Sequence, residues 1–158
     1  MAAGSAPEAA AARIRPATPA DAAAITVANA AMALETENLQ LDLGVLSAGV
    51  AALLADPSKG RYYLAEEEAG AVVGQLMITF EWSDWRNAQV WWVQSVYVAP
   101  AHRRRGIYSE LYRHVREAAR AAGACGVRLY ADNGNAPAHA VYTRLGMISH
   151  YRVFEDIF

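Results

Sequence analysis

Three blocks of apolar residues stand in the middle of the chain, each broken from the next by turn-forming residues. Arg61 to Glu67, Ala71 to Glu81 and Gln89 to Val98 are rich in Val, Tyr, Trp and Ile, and Gly70 and the polar stretch Ser83 to Ala88 separate them. That pattern predicts a three-strand antiparallel meander. Upstream, Thr18-Pro19-Ala20-Asp21 combines an N-cap hydroxyl, a proline at the first helical position and an acid in the first turn. It predicts an Ala-rich helix running to about Leu34. Glu35 to Asp42 has no sustained period, and a second helix is expected from about Val45 to Ala55, stopping before Asp56-Pro57. Ala12 to Arg15 reads as a short edge strand ended by Pro16, which has no N–H to offer a ladder. Downstream, Pro100 closes the third block, and Ile107, Leu111, Val115, Ala118 and Ala122 recur at helical spacing. They predict a helix from about Arg105 to Ala122, capped by Gly123. Val127 to Ala131 then reads as a strand, Ala136 to Leu145 as a helix ending at Gly146, and Met147 to Phe154 as a last strand. A meander followed by strand, crossover helix and strand implies a mixed sheet with one right-handed parallel connection, hence an α/β or α+β fold.

Composition narrows this picture. A chain of 158 residues fits one core, with residues 1–11 as a disordered amino-terminal tail and 12–158 as a single domain. Hydrophobic residues at 54% against 19% charged exclude a wholly disordered chain. A formal charge of -2 disfavours a broadly basic nucleic-acid binder, so an anionic ligand must meet a local positive patch. Cys125 has no second thiol to pair with and reads as buried packing in a reducing compartment. His102, His114, His139 and His150 show no metal spacing, and no metal is expected. The first sixteen residues include Glu8 and lack the basic start and leucine-rich run of a signal peptide, and no apolar run reaches the roughly 18 residues of a membrane span. The expectation is a cytoplasmic protein with neither membrane nor nucleic acid as partner.

The chemistry concentrates where the third block meets the long helix. Val93-Gln94-Ser95-Val96-Tyr97-Val98-Ala99-Pro100 runs into Ala101-His102-Arg103-Arg104-Arg105-Gly106-Ile107-Tyr108, a strand feeding a basic turn that opens a helix. Free N–H groups at a helix start, with the macrodipole behind them, make a phosphate site, and glycine lets a ligand approach the main chain. The arginines supply local positive charge; taken alone, the charge run equally describes a solvated helix start.

These residues resemble the GCN5-related N-acetyltransferase (GNAT) family, whose motif after a strand is Arg or Gln, two residues, Gly, one residue, then Gly or Ala. Arg103, Gly106 and Tyr108 hold those places, and Asn135, Ala138, Tyr142 and Gly146 follow the spacing of the family's second motif. The resemblance covers Gly60 to the C-terminus; the first two helices suit the architecture and carry no motif. It implies the acyl-CoA N-acyltransferase fold, a mixed central sheet flanked by helices, with acetyl-CoA as co-substrate in a cleft between two splayed parallel strands. The pyrophosphate would lie on the backbone amides of Arg104, Arg105, Gly106, Ile107, Tyr108 and Ser109, with further cofactor contacts from Arg103, Asn135, Tyr142 and the strand at Val96 and Val98. By the same resemblance, the Val96 N–H polarises the acyl carbonyl and Tyr142 is the acid; as a plain reading, Tyr142 is equally a helix tyrosine packed on the sheet.

Two positions depart from the family pattern. Tyr108 replaces a small residue; either its ring lies along the helix beside Tyr112 and leaves the backbone free, which is the favoured reading, or it crowds the site. Gln94 stands where many relatives carry a glutamate that deprotonates the acceptor through water, and an amide cannot be that base. Gln94 is left to orient a water or the substrate.

Amide formation needs a neutral amine, and an alkylamine with a pKa of about 10.4 is almost wholly protonated at neutral pH. Glu81 and Asp84, at the end of the strand that pairs with the Gln94 strand, are the candidate carboxylates, Glu81 as base; each is also readable as a solvated hairpin acid. In the resembling fold the loop between the first two helices borders the acceptor, so Glu35 and Glu37 are expected to hold a cationic amine. Trp92 should share a face with Gln94 as an aromatic wall. Trp82, Trp85, Trp91 and Trp92 read together as a covered sheet face or dimer contact, or else as a substrate cage. The expected function is transfer of an acetyl group from acetyl-CoA to the primary amine of a small molecule, by direct attack in a ternary complex, in a homodimer. A non-catalytic acyl-CoA binding module and a protein or peptide N-acetyltransferase are the alternatives.

Overall fold

The computed structural model describes residues 12–158, so the expected tail over 1–11 lies outside the described residues. Five strands form one sheet in sequence order: β1 (Arg13–Pro16), β2 (Arg61–Glu66), β3 (Val72–Ser83), β4 (Ala88–Val98) and β5 (Gly126–Leu129). Neighbours from β1 to β4 are antiparallel, and β4 and β5 are parallel, from Val90 opposite Gly126 to Val93 opposite Leu129. The meander and the crossover therefore form as the apolar blocks predict.

Side chains alternate across a strand, so each block serves two faces. On β2, Tyr62 and Leu64 pack with Ile25 of α1 (Ala22–Glu37) and Val50 of α2 (Leu43–Ala55), whereas Tyr63 and Ala65 join Leu111 and Val115 of α3 (Ile107–Ala121). A fourth helix, α4 (Ala136–Arg144), follows β5 and has no buried residue. Among the described residues, no helix is long and apolar enough to cross a membrane.

One buried polar chain crosses the α1 face. Gln75 donates through Nε2 to Asn29 Oδ1 at 2.7 Å, and Asn29 donates through Nδ2 to the Tyr62 hydroxyl at 2.9 Å. Gln75 interrupts the apolar run of β3 and Asn29 the apolar side of α1; both are buried, and each supplies the other with one partner, while Gln75 Oε1 has none among the described residues.

Three boundaries differ from expectation. First, α1 continues through Glu35 and Glu37 and ends at Asn38 in the left-handed region, φ 52°, a conformation asparagine tolerates better than most residues. Second, Pro16 belongs to β1 as its last residue, opposite Tyr63, the end position where the lost N–H does least harm. Third, Met147 to Phe154 is not a strand: residues 147–158 have no regular structure, and Ile148, Tyr151 and Phe154 are exposed. Alternating apolar residues make a strand only where a neighbour takes up the backbone hydrogen bonds, and no ladder reaches these residues. Cys125, expected in the core, is exposed at the end of the turn that follows α3.

Arg15 ties β1 to the start of the first helix. Its guanidinium donates to both Asp21 oxygens at 2.9 Å and also to Glu66. The Arg15 hydrogen bonds, aided by Thr18, hold the Asp21 carboxyl at about 2, below its ordinary 3.8. A depressed carboxyl contributes stability that is complete above pH of about 4 and lost as the pH falls towards 2. Arg15→Met is therefore expected to lower stability by about 1–2 kcal/mol at pH 7, after allowance for solvent screening. Denaturant titrations of the two proteins should show the gap narrowed to about a third at pH 2.5; an equal gap at both pH values would remove this ion pair as the cause.

Candidate active site

The site begins with an irregularity in β4. Gln75 pairs with Tyr97 and Met77 with Gln94, so two steps along β3 match three along β4, and the extra residue is a β-bulge. Ser95 sits at φ 49°, and its carbonyl lies 3.4 Å from Gln75 Nε2, placing the buried polar chain behind the bulge. The bulge reverses which backbone groups face β3. The Gln89 carbonyl points to the β5 side, accepting from Cys125 N–H, and the Ala99 N–H points the other way, donating to Val73. Counting in alternation from Ala99, the N–H and C=O groups of Val96 and Val98 face the β5 side. Pairing with β5 has already ended at Val93 and Leu129. The two parallel strands thus part where Val96 and Val98 have polar groups to offer.

Beyond β4 the chain makes a short turn at Pro100–His102 and then rises into α3. The first helical hydrogen bond runs from Glu110 N–H to the Gly106 carbonyl. Among the described residues, no acceptor takes the backbone N–H of Arg104, Arg105, Gly106, Ile107, Tyr108 or Ser109. Six successive free amides at the positive end of a helix form an anion cradle. Gly106 adopts φ 80°, and a Cβ built on it meets nothing within 4 Å, so the space in front of the amides is open. Gly74 lets α3 sit close to β3, since a Cβ there would come within 3.0 Å of Ile107 Cγ2.

The arginines divide their work. Arg103 donates through Nε to the Val98 carbonyl at 2.9 Å and through Nη2 to Glu35 at 2.5 Å, and its guanidinium lies over the Tyr97 ring, 5.6 Å from the centroid. The Tyr97 hydroxyl meets the other Glu35 oxygen at 3.2 Å. Arg103 therefore anchors the turn to β4 and α1, a different task from supplying free charge to a ligand. Glu35, expected to hold a cationic amine, is corrected on the same ground, because its charge already meets Arg103. Burial, then Glu35, raise the Tyr97 pKa. Arg104 is exposed, and Arg105 reaches Glu67 at 3.5 Å, as His102 does at 3.1 Å.

Across the cleft mouth, Asn135 caps α4, its Oδ1 accepting from Ala138 N–H at 3.2 Å, which leaves its amide N–H groups for a ligand. On α4, Tyr142 meets Tyr108 edge to face at 5.7 Å, and burial raises the pKa of both phenols, so both stay protonated at neutral pH.

The acceptor side departs furthest from expectation. Glu81 pairs with Val90 at the far end of β4, six residues and on the order of 20 Å from Val96. Its carboxylate accepts from Arg128 Nη1 at 2.8 Å and from the Trp92 indole N–H. The Glu81 carboxylate is therefore held by Trp92 and Arg128 one pair before the strands part, not left free as the expected base would be. Asp84 is exposed in the turn that follows β3. The four tryptophans form no cage, because neighbours on a strand face opposite ways: Trp91 is buried with α3, Trp92 lies on the other face, and Trp82 and Trp85 are exposed. Trp92 does share the Gln94 face, with Tyr130 at 6.3 Å, and Gln94 donates to Thr79 Oγ1 at 2.6 Å. Glu37 is exposed in the last turn of α1. No motif marks Tyr97 or the Asn29–Gln75 pair, although a glutamine inside the apolar run of β3 is a visible signal. Among the described residues no group of three or more His, Cys, Asp or Glu is placed to hold a metal.

Parted parallel strands beside an amide cradle are what the sequence motifs imply, and comparison with known proteins agrees. The model of the Acetyltransferase (GNAT) family matches residues 31–147, about three quarters of the chain. The chain belongs to the GNAT acetyltransferase family. A possible acetyltransferase of Clostridium difficile 630 shares 39% identity with a TM-score of 0.86, over 94% of this chain and 98% of that one. An aminoglycoside acetyltransferase from an uncultured soil metagenomic sample shares 25% identity with a TM-score of 0.74, over 92% and 97%. The ribosomal-protein-alanine N-acetyltransferase of Brucella melitensis biovar Abortus 2308 has a TM-score of 0.77 over 94% and 99%, and at 17% identity this GNAT likeness is one of fold alone. Among curated proteins, none matches the chain.

Proposed function

We propose that residues 12–158 act as a single catalytic domain that moves an acetyl group from acetyl-CoA to the primary amine of a small cationic molecule, by direct attack in a ternary complex. The observation that carries this reading is the run of free amides from Arg104 to Ser109 beside the parted strands β4 and β5. Acetyl-CoA supplies an activated thioester and a diphosphate for that cradle, and the residues present suit both. The Val96 N–H, turned to the opening by the bulge, donates to the acyl carbonyl and stabilises the charge that develops there. Tyr142, kept protonated by burial, gives its proton to the departing thiolate.

The acceptor approaches over the sheet face that carries Gln94 and Trp92. Gln94 uses Nε2 on Thr79 and so presents its carbonyl oxygen to an amine or to a water that removes the proton. Glu37 and the Trp92 ring favour a cation. The aminoglycoside acetyltransferase, by its name, acts on a class of small polyamines, which supports the same acceptor chemistry here. We further infer a cytoplasmic homodimer.

Calorimetric titration with acetyl-CoA, CoA and ATP tests the donor half. Micromolar binding of the first two and none of ATP is expected, followed by thiol release with diamines or amino sugars. Absence of acetyl-CoA binding would sink the reading, and thiol release with peptides alone would replace the acceptor.

A further inference from the structure

The Val96 N–H belongs to the peptide that Val96 shares with Ser95, and that peptide lies in the bulge of β4. Ser95 holds φ 49°, in the left-handed region, where a residue with a Cβ persists only if its surroundings hold it. The ladder does not do so here, because pairing steps from Gln75 opposite Tyr97 to Met77 opposite Gln94 and passes Ser95 over. A side chain takes its place. Gln75 Nε2 donates to the Ser95 carbonyl at 3.4 Å and to Asn29 Oδ1 at 2.7 Å, and Asn29 donates in turn to the Tyr62 hydroxyl at 2.9 Å. Gln75, Asn29 and Tyr62 are all buried, so water does not compete for these bonds.

The planar peptide carries this contact to the site. In a trans peptide the C=O and the N–H point in opposite directions, and no cis bond occurs among the described residues. Drawing the Ser95 carbonyl towards Gln75, on the side of β3 and α1, turns the Val96 N–H the other way, to the β5 side where the strands part. A hydrogen bond accepted by the carbonyl also polarises the peptide and strengthens its N–H as a donor. We propose that Gln75, held by Asn29, is a positioning residue that aims the Val96 N–H at the acyl carbonyl. The inference rests on the function proposed above, in which that N–H stabilises the charge developing on the carbonyl.

Gln75→Met keeps the length of the side chain and removes its N–H groups. The readout is the isotope-edited infrared carbonyl stretch of acetyl-CoA bound to wild type and to variant, with affinities for acetyl-CoA and CoA from calorimetry. Wild-type protein is expected to lower the band relative to free acetyl-CoA, and the variant to lose about half of that shift or more. Acetyl-CoA affinity should stay within about threefold, because the free amides of Arg104 to Ser109 are untouched. A packing role alone would move the thermal midpoint and leave the band in place. The full wild-type shift in folded Gln75→Met would overturn the assignment, and so would a large, equal loss of affinity for both ligands, which marks a disturbed site. If Gln75→Met does not fold, Asn29→Leu answers the same question: it removes the anchor of the Gln75 amide, part of the shift should go, and a full shift would overturn the proposal. Wild-type protein that binds no acetyl-CoA, or binds it without lowering the band, would instead overturn the donor reading of the cradle and of Val96.

Discussion

Tyr142→Phe is expected to lower acetyl transfer at least about tenfold while leaving acetyl-CoA affinity nearly unchanged. The side chain keeps its ring against Tyr108 and loses only the hydroxyl, so packing between α3 and α4 is preserved. What disappears is the proton for the departing thiolate, a group needed in the transition state and not for binding. Burial raises the phenol's pKa, and a raised acid stays protonated past its ordinary value of about 10. Wild-type turnover should therefore show no alkaline loss assignable to this residue below about pH 10. Pre-steady-state thiol release with a saturating amine checks both points. Equal turnover in the variant would show that solvent protonates the thiolate and that Tyr142 serves packing.

The largest effect is expected at Gly106. Gly106→Glu should weaken acetyl-CoA binding by about a hundredfold or more, because it sets a carboxylate before amides that now face open space. The left-handed φ of 80° adds backbone strain of roughly 1–2 kcal/mol for any residue with a Cβ. A thermal midpoint lower by a few degrees is thus expected with the fold intact. Gly106→Gln separates the two effects, since glutamine has the size and backbone strain of glutamate and carries no charge; its binding should fall far less. Full acetyl-CoA affinity in a folded Gly106→Glu protein would place the diphosphate elsewhere.

The donor half of the site was legible because it is made of main chain and short-range order. Arg103, Gly106 and Tyr108 follow β4 directly, and Asn135 opens the helix that carries Tyr142 about two turns later. Local spacing fixes where such amides and caps point. The acceptor half involves side chains on strands that are distant in sequence, and there the partners of Glu81 and Glu35 and the division of the tryptophans between two faces were not legible. Nothing near Glu81 in the chain announces Arg128, which meets it only because β5 lies beside β4. Glu35 likewise meets Arg103 through the packing of α1 on the sheet.

From the sequence alone, then, came the order of helices and strands through α4, the parallel crossover, the basic turn that opens α3 and membership of a family that the fold bears out. These follow from periodicity, proline and glycine placement and motif spacing, all of which act within a few residues. Tertiary structure alone decided the extra residue in β4 that turns Val96 to the cleft, the pairing that neutralises Glu81 and Glu35, the division of the tryptophans between two faces, and the burial of the Tyr108 hydroxyl. It also decided that Met147 to Phe154, apolar and alternating as it is, stays outside the sheet. Each of these depends on which strand or helix comes to lie alongside, and hydrogen bonding and charge pairing are settled by that neighbour.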